Sequence, residues 1–198
     1  MADAETDPDL DARMAFLMEG DKLKSVVRAT RLADGSRYEN TAEHSWQAAL
    51  FALVLAPHAP AGVAIDRVIR MLLIHDLVEI HAGDTPVFGA VDDAAQAAAE
   101  ARAAERLYGM LPPDQGGELR ALWEEFEANE TPDARFAKSI DRFVPPNLNL
   151  AAGGGSWTEY NVTHAGFLER VAPRIERGAP ALWAWLRPRV AAFFAGRG

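Results

Sequence analysis

Apolar positions recur along this chain at intervals of three and four residues, in runs separated by proline, glycine and short polar clusters. The first run follows Asp7-Pro8, a pair suited to a helix start, and sets Leu10, Met14, Phe16 and Leu17 on an apolar face. Asn40-Thr41-Ala42-Glu43 has the form of a capping box, which predicts a helix to about Ala56, closed by Pro57 and Pro60. A third helix is predicted from about Ala64 to His81, stopping at Gly83. Val91 to Met110 is alanine-rich and helical, and Leu111-Pro112-Pro113 breaks it before a short helix over Glu118 to Ala128. Thr131-Pro132 supplies a cap and a first-turn proline for the next helix, which Pro145-Pro146 should end or kink. Gly153-Gly154-Gly155 marks a loop, followed by helices at about Thr163 to Ile175 and Ala179 to Phe194. Arg28 to Asn40 reads as an irregular connection that turns at Asp34-Gly35-Ser36. With no alternating strand pattern and no internal repeat, the expectation is an all-α bundle forming one domain over residues 1–198.

Composition narrows the partners. At 198 residues the chain can bury a sizeable core in one domain. Its formal charge of -9 argues against a binder of polymeric nucleic acid or of anionic membranes, both of which attract excess Lys and Arg. A small anionic ligand stays compatible, because a pocket can be locally basic on an acidic protein. There is no cysteine, so neither disulfides nor thiolate ligands are available. No uncharged apolar run approaches the ~20 residues that span a bilayer. Met1-Ala2-Asp3-Ala4-Glu5 is acidic where a signal peptide would be basic, so a cytoplasmic protein is expected.

One group of residues conflicts with a purely structural reading. His75, Asp76 and Glu79 lie in Val68 to Ile80, an otherwise strongly apolar helical stretch. Burying them there is costly unless they are paired, hydrogen-bonded or metal-bound. Glu79 is four residues after His75 and three after Asp76, so the three share one side of a helix. His44 opens a separate helix, and Asp141 sits among apolar residues of another. Facing helices commonly build metal sites in this way. Two imidazoles and two carboxylates suit one divalent ion of the Mn, Fe, Co, Ni or Zn group better than Mg, which prefers an all-oxygen shell.

His44, the His75-Asp76 pair and Asp141, in that order, resemble the signature of HD-domain metal-dependent phosphohydrolases. The wording around them is closer still to a subgroup that includes bacterial 5'-deoxynucleotidases and their eukaryotic relatives. The stretches that carry it are Leu23 to Arg28, Glu39 to Ser45, His75 to Glu79 and Gly83-Asp84, within a core of about residues 23–144. The resemblance implies metal ligation by His44, His75, Asp76 and Asp141, with Glu79 as a catalytic acid or base and Asp84 placing substrate or water. It implies a phosphate-binding arginine at Arg28, although the spacing to His44 is one residue longer here, so Arg31 and Arg37 compete and Lys24 lies nearby. Relatives carry an aromatic residue just after that arginine where this chain has Ala29, so weak selection among bases is expected.

The implied substrate is a small phosphorylated molecule, a (deoxy)nucleoside 5'-monophosphate. Open alternatives are another phosphate ester, a nucleoside triphosphate or a cyclic or alarmone nucleotide, and a non-catalytic metal-binding helical module. A homodimer is implied as well. The C-terminal helices, about residues 157–198, would be accessory or interfacial, since Leu182, Trp183, Trp185, Leu186, Val190, Phe193 and Phe194 exceed what one helix face readily hides.

Overall fold

The computed structural model describes residues 7–89 and 92–197. The acidic start of the chain and Val91, where the alanine-rich helix is predicted to begin, lie outside them. Helix α1 (Pro8–Gly20) starts as anticipated, with the Asp7 carboxylate accepting from the amides of Asp9 and Leu10, both at 3.1 Å. A short 3-10 turn (Asp21–Ser25) then leads into the main departure from the sequence reading. Residues 28–40 are not an irregular connection: β1 (Val27–Arg31) and β2 (Tyr38–Asn40) pair antiparallel, Val27 with Asn40 and Arg31 with Tyr38. The turn does fall at Asp34 to Ser36, with Gly35 at φ +72° and the Ser36 amide donating to Asp34 at 2.9 Å.

Asn40 and Glu43 form a reciprocal capping box, at 3.0 and 3.1 Å, that opens α2 (Thr41–Val54). The next helix is shorter than predicted. α3 (Ile65–Ile74) buries Val68, Met71 and Leu72, and α4 (Glu79–Ala82) follows only after His75 to Val78. Across this break the amides of Leu77, Glu79, Ile80 and His81 each donate three residues back, the tighter winding of a 3-10 segment. Gly83, at φ +79°, ends α4 in a conformation that favours glycine.

α5 (Asp93–Tyr108) and α6 (Pro113–Ala128) follow, the latter starting a turn earlier than predicted, with a proline in its first turn. α7 (Pro132–Ala151) is the central helix, packed against α2, α3 and α6. Pro145 and Pro146 do not end it. The C-terminal part is more divided than expected: α8 (Ser156–Glu159), α9 (His164–Arg170), α10 (Ala172–Gly178) and α11 (Pro180–Ala195). A single helix from Thr163 to Ile175 is interrupted at Val171, just before Pro173. α10 and α11 also pack on α7. Gly178 permits the close approach, since a Cβ there would lie 2.1 Å from the Arg135 carbonyl oxygen.

Two apolar clusters result. The larger joins α2, α3, α6 and α7 to the C-terminal helices, and the smaller gathers Phe16, Val78, Leu107, Tyr108 and Trp123. Leu182, Trp183, Leu186 and Val190 of α11 are buried in the larger cluster, while Trp185 stays exposed. Trp46, on α2, is 62% exposed. Among the described residues no helix is long and apolar enough to cross a membrane.

Candidate metal centre

The break after α3 is what brings the polar residues together. His75 stays αR, and its Nδ1 sits 2.8 Å from the Leu72 carbonyl, which takes the ring N–H and directs Nε2 away from the helix. That Nε2 lies 3.1 Å from Asp76 Oδ2 and 3.7 Å from Asp141 Oδ1. His44, in the first turn of α2, places its Nε2 3.1 Å from Asp141 Oδ1 and 3.9 Å from Asp76 Oδ2. Donor atoms of His44, His75 and Asp141 all fall within 4.8 Å of one another, and all three residues are buried. Asp76 completes the ring of donors through its contacts to both imidazoles.

Whether these residues suit a divalent ion can be judged from their unmet bonding. His75 Nε2 is buried without a hydrogen-bond partner despite its carboxylate neighbours. A buried ring nitrogen left unpaired in this way is costly unless a proton or a ligand completes it. In the metal-free chain a proton fills part of that role. Burial opposes charge on His75, but Asp76 and Asp141 more than offset it and raise the imidazole to about 10. Asp141 is held well below the carboxylate range, its burial outweighed by Arg142, His44 and His75. Asp76 is lowered too, burial being outweighed by His75 and Arg28. Two buried imidazoles facing two ionised carboxylates form a nitrogen and oxygen donor set that fits one divalent cation.

Around this ring lies an acidic shell. Arg28, on β1, reaches Asp76 at 2.9 Å, Asp84 at 3.5 Å and Glu79 at 3.8 Å. Burial pushes the Glu79 carboxyl up to about 9, with Asp76 and Asp84 adding to the effect and Arg28 opposing it. Asp84 is raised as well, mainly by burial. Thr41 donates its hydroxyl to Glu79 Oε2 at 3.0 Å, which fixes one carboxyl oxygen. A cavity of about 410 Å³ opens above the ring, lined by His75, Asp76, Glu79, Asp84 and Asp141 together with Arg28.

Of the other basic residues singled out from sequence, none lines this cavity. Lys24 pairs with Asp21 on the surface. Arg31 binds Glu159 at 2.7 Å and lies over the Tyr38 ring. Arg37 forms a paired contact with Glu43, at 2.6 and 2.9 Å. Two buried residues had no role assigned from sequence. Thr41 is one. Glu39 is the other, 1% exposed, with Oε1 3.5 Å from both His44 Nδ1 and Arg28 Nε. It stands just before a helix cap, where a glutamate ordinarily faces water, and only the β1–β2 ribbon turns it inward.

Comparison with known proteins agrees with this geometry. A family model described as HD domain matches residues 20–183. The 5'-deoxynucleotidase HDDC2 of Homo sapiens is 29% identical over 130 residues, 65% of this chain and 62% of that protein. Its Bos taurus counterpart is 32% identical over the same length and shares. The chain thus spans 62% of the length of these curated relatives. A crystal structure described as a predicted metal-dependent phosphohydrolase from Magnetospirillum magnetotacticum MS-1 is 48% identical, with a TM-score of 0.88 over 94% of this chain and 96% of that one. A conserved hypothetical protein from Pyrococcus furiosus shares the fold at 23% identity, with a TM-score of 0.56 over 88% and 99% of the two chains.

Proposed function

This chain belongs to the HD domain family, and on that premise we propose that it is a metal-dependent phosphohydrolase acting on (deoxy)nucleoside 5'-monophosphates. The observation that carries the reading is the convergence of His44, His75 and Asp141, with Asp76 beside them, at a cavity that His75, Asp76 and Asp141 line together with Glu79, Asp84 and Arg28. The names of the 5'-deoxynucleotidase relatives favour the nucleotide substrate.

In this reading His44, His75, Asp76 and Asp141 hold one divalent ion, which supplies Lewis acidity and neutralises charge on the phosphoryl group. Glu79 exchanges a proton with the attacking water or the leaving oxygen. Its raised pKa leaves it protonated at neutral pH in the metal-free chain, and the hydrogen bond from Thr41 aims it. Asp84 holds water or substrate at the cavity wall. Arg28 offers its guanidinium from the β1 side, where it can bond phosphate oxygens in pairs. No covalent enzyme intermediate is needed, because positioning and electrostatics supply the catalysis.

The test is release of phosphate from deoxynucleoside monophosphates by protein loaded in turn with Mn, Co, Fe, Ni, Zn and Mg. Turnover of several monophosphates with little preference among bases is expected, since Ala29 rather than a large ring lines the cavity beside Arg28. No release from any monophosphate, with cleavage of a triphosphate or cyclic nucleotide instead, would overturn the substrate and leave the metal site standing.

The proposal extends to a homodimer, with a shift of surface. Because α11 hides most of its bulk in its own core, the exposed stripe Trp46, Leu50, Leu53 and Val54 of α2, together with Trp185, supports self-association better than α11 alone. Light scattering at micromolar concentration would show twice the chain mass; a monomer mass would refute it.

A further inference from the structure

A phosphate dianion needs a cation with donors to spare, and Arg28 has few. Its guanidinium stands within 3.8 Å of four carboxylates, those of Asp76, Glu39, Asp84 and Glu79. Each competes with a substrate for the same fork of N–H groups. A substrate bound by Arg28 alone would also sit against the repulsion of that acidic wall.

Arg142 offers a contrast. It follows Asp141 on α7 and lines the same cavity as Arg28. Its side chain keeps 23% exposure, and Asp141, at 3.5 Å from Nε, is the one carboxylate within 4.0 Å among the described residues. That Nε is buried and has no hydrogen-bond partner among the described residues. Asp84 lines the same cavity, and there the Arg142 charge adds a small opposition to the upward push of burial. A guanidinium stays charged at any working pH and presents five donors in a rigid fork. Here most of that fork is uncommitted.

We propose that Arg142 is a second phosphate anchor of the site beside Arg28, donating to the oxygens of a phosphomonoester dianion from α7 while Asp76, Glu79 and Asp84 hold part of the Arg28 fork. This rests on the phosphohydrolase reading and names a residue that reading does not require. Arg142 belongs to binding rather than proton transfer, so its loss should act mainly on affinity. Loss of Arg28 should also disturb the placement of Glu79 and Asp84, and so lower turnover as well as affinity.

The experiment titrates metal-loaded full chain with inorganic phosphate by calorimetry, for the wild type, Arg142→Gln and Arg142→Lys, with bound metal and melting temperature measured on each sample. Arg142→Gln is expected to bind phosphate about ten- to a hundredfold more weakly, the scale of hydrogen bonds to a charged group, with bound metal unchanged. Arg142→Lys should recover part of the affinity, since it restores the charge without the fork. Kinetics on deoxyadenosine 5'-monophosphate should show KM rising by more than kcat falls. Wild-type affinity in Arg142→Gln would overturn the proposal. So would a loss of affinity that follows a loss of metal, which would make Arg142 a positioning residue for Asp141. Should Arg142→Gln not fold, Arg142→Lys decides by the same criteria. A metal-loaded wild type that binds no phosphate removes both this proposal and the hydrolase reading; wild-type binding with an unchanged Arg142→Gln removes this proposal alone.

Discussion

Two buried clusters meet along α7 and are built on opposite terms. Toward the C-terminal helices, Phe136, Ile140, Val144 and Leu148 pack with Ile175, Leu182 and Leu186, and the aromatic contact between Trp157 and Phe167 lies at 5.3 Å. The buried polar residues that α7 turns this way, Ser139 and Asn149, have their hydrogen bonds met, Ser139 by donating to the Arg174 carbonyl at 2.8 Å and Asn149 by accepting from the Ser156 amide at 2.9 Å. Toward α2 and α3, the same helix turns Asp141 into a group of His44, His75 and Glu39, where His75 Nε2, His44 Nδ1 and Glu39 Oε1 lack hydrogen-bond partners. Ile140 and Asp141 are consecutive residues, one in each cluster. The apolar side holds α7 firmly enough to keep a costly set of polar donors converged, which is what a preorganised site demands of its scaffold. Stability and chemistry are thus carried by different residues of one helix.

If that division is real, substitutions on the two faces should separate cleanly. The largest expected effect is catalytic. Glu79→Ala should keep metal and fold while losing ~10² to 10⁴ in turnover, the usual contribution of a general acid or base. Near-normal rates in the metal-replete variant would remove Glu79 from the mechanism. On the apolar face, Leu186→Ala should cost about 2–5 kcal/mol of stability by transfer and cavity terms, with metal affinity at 25 °C retained. A matching fall in metal affinity, seen by calorimetry on the folded variant, would show that the faces are not separate.

A smaller effect tests the acidic shell. Glu79 is raised to about 9 from an ordinary value of 4.5, first by burial and then by Asp76 and Asp84. A carboxyl raised on folding contributes stability that is fully present below its unfolded pKa and is lost as pH climbs through its folded one. Metal-free wild type should therefore lose stability, on the order of a few kcal/mol, between about pH 4.5 and about pH 9. Glu79→Gln cannot ionise and should escape that loss, so it should melt above the wild type at pH 9 by more than at pH 5. A difference independent of pH would contradict the assignment.

Much of this was legible before any coordinates. Helix periodicity and the Asp7, Asn40 and Thr131 caps mark helix starts that the structure bears out. The order of His44, His75-Asp76 and Asp141 already points to a shared site. What escaped depends on contacts distant in sequence. The β1–β2 ribbon lacks a clean alternation, with four consecutive half-buried or buried residues at Arg28 to Arg31, so no period of two shows. The helix over Ala64 to His81 has unbroken apolar spacing, and nothing in that spacing marks its tightening after Ile74. Glu39 and Arg142 received no role from the sequence, because nothing local reveals that one is turned inward and the other lines a cavity. Pro145 and Pro146 misled in the other direction, since packing on both sides of α7 carries the helix past them.

The central claim is that His44, His75, Asp76 and Asp141 hold one divalent ion. Its most direct test is elemental analysis of purified wild type, His75→Ala and Asp76→Ala, each confirmed folded by circular dichroism. About one equivalent of a transition metal is predicted in the wild type and close to none in either variant, as expected when a ligand of a four-donor site is removed. Full occupancy in both variants would contradict the account.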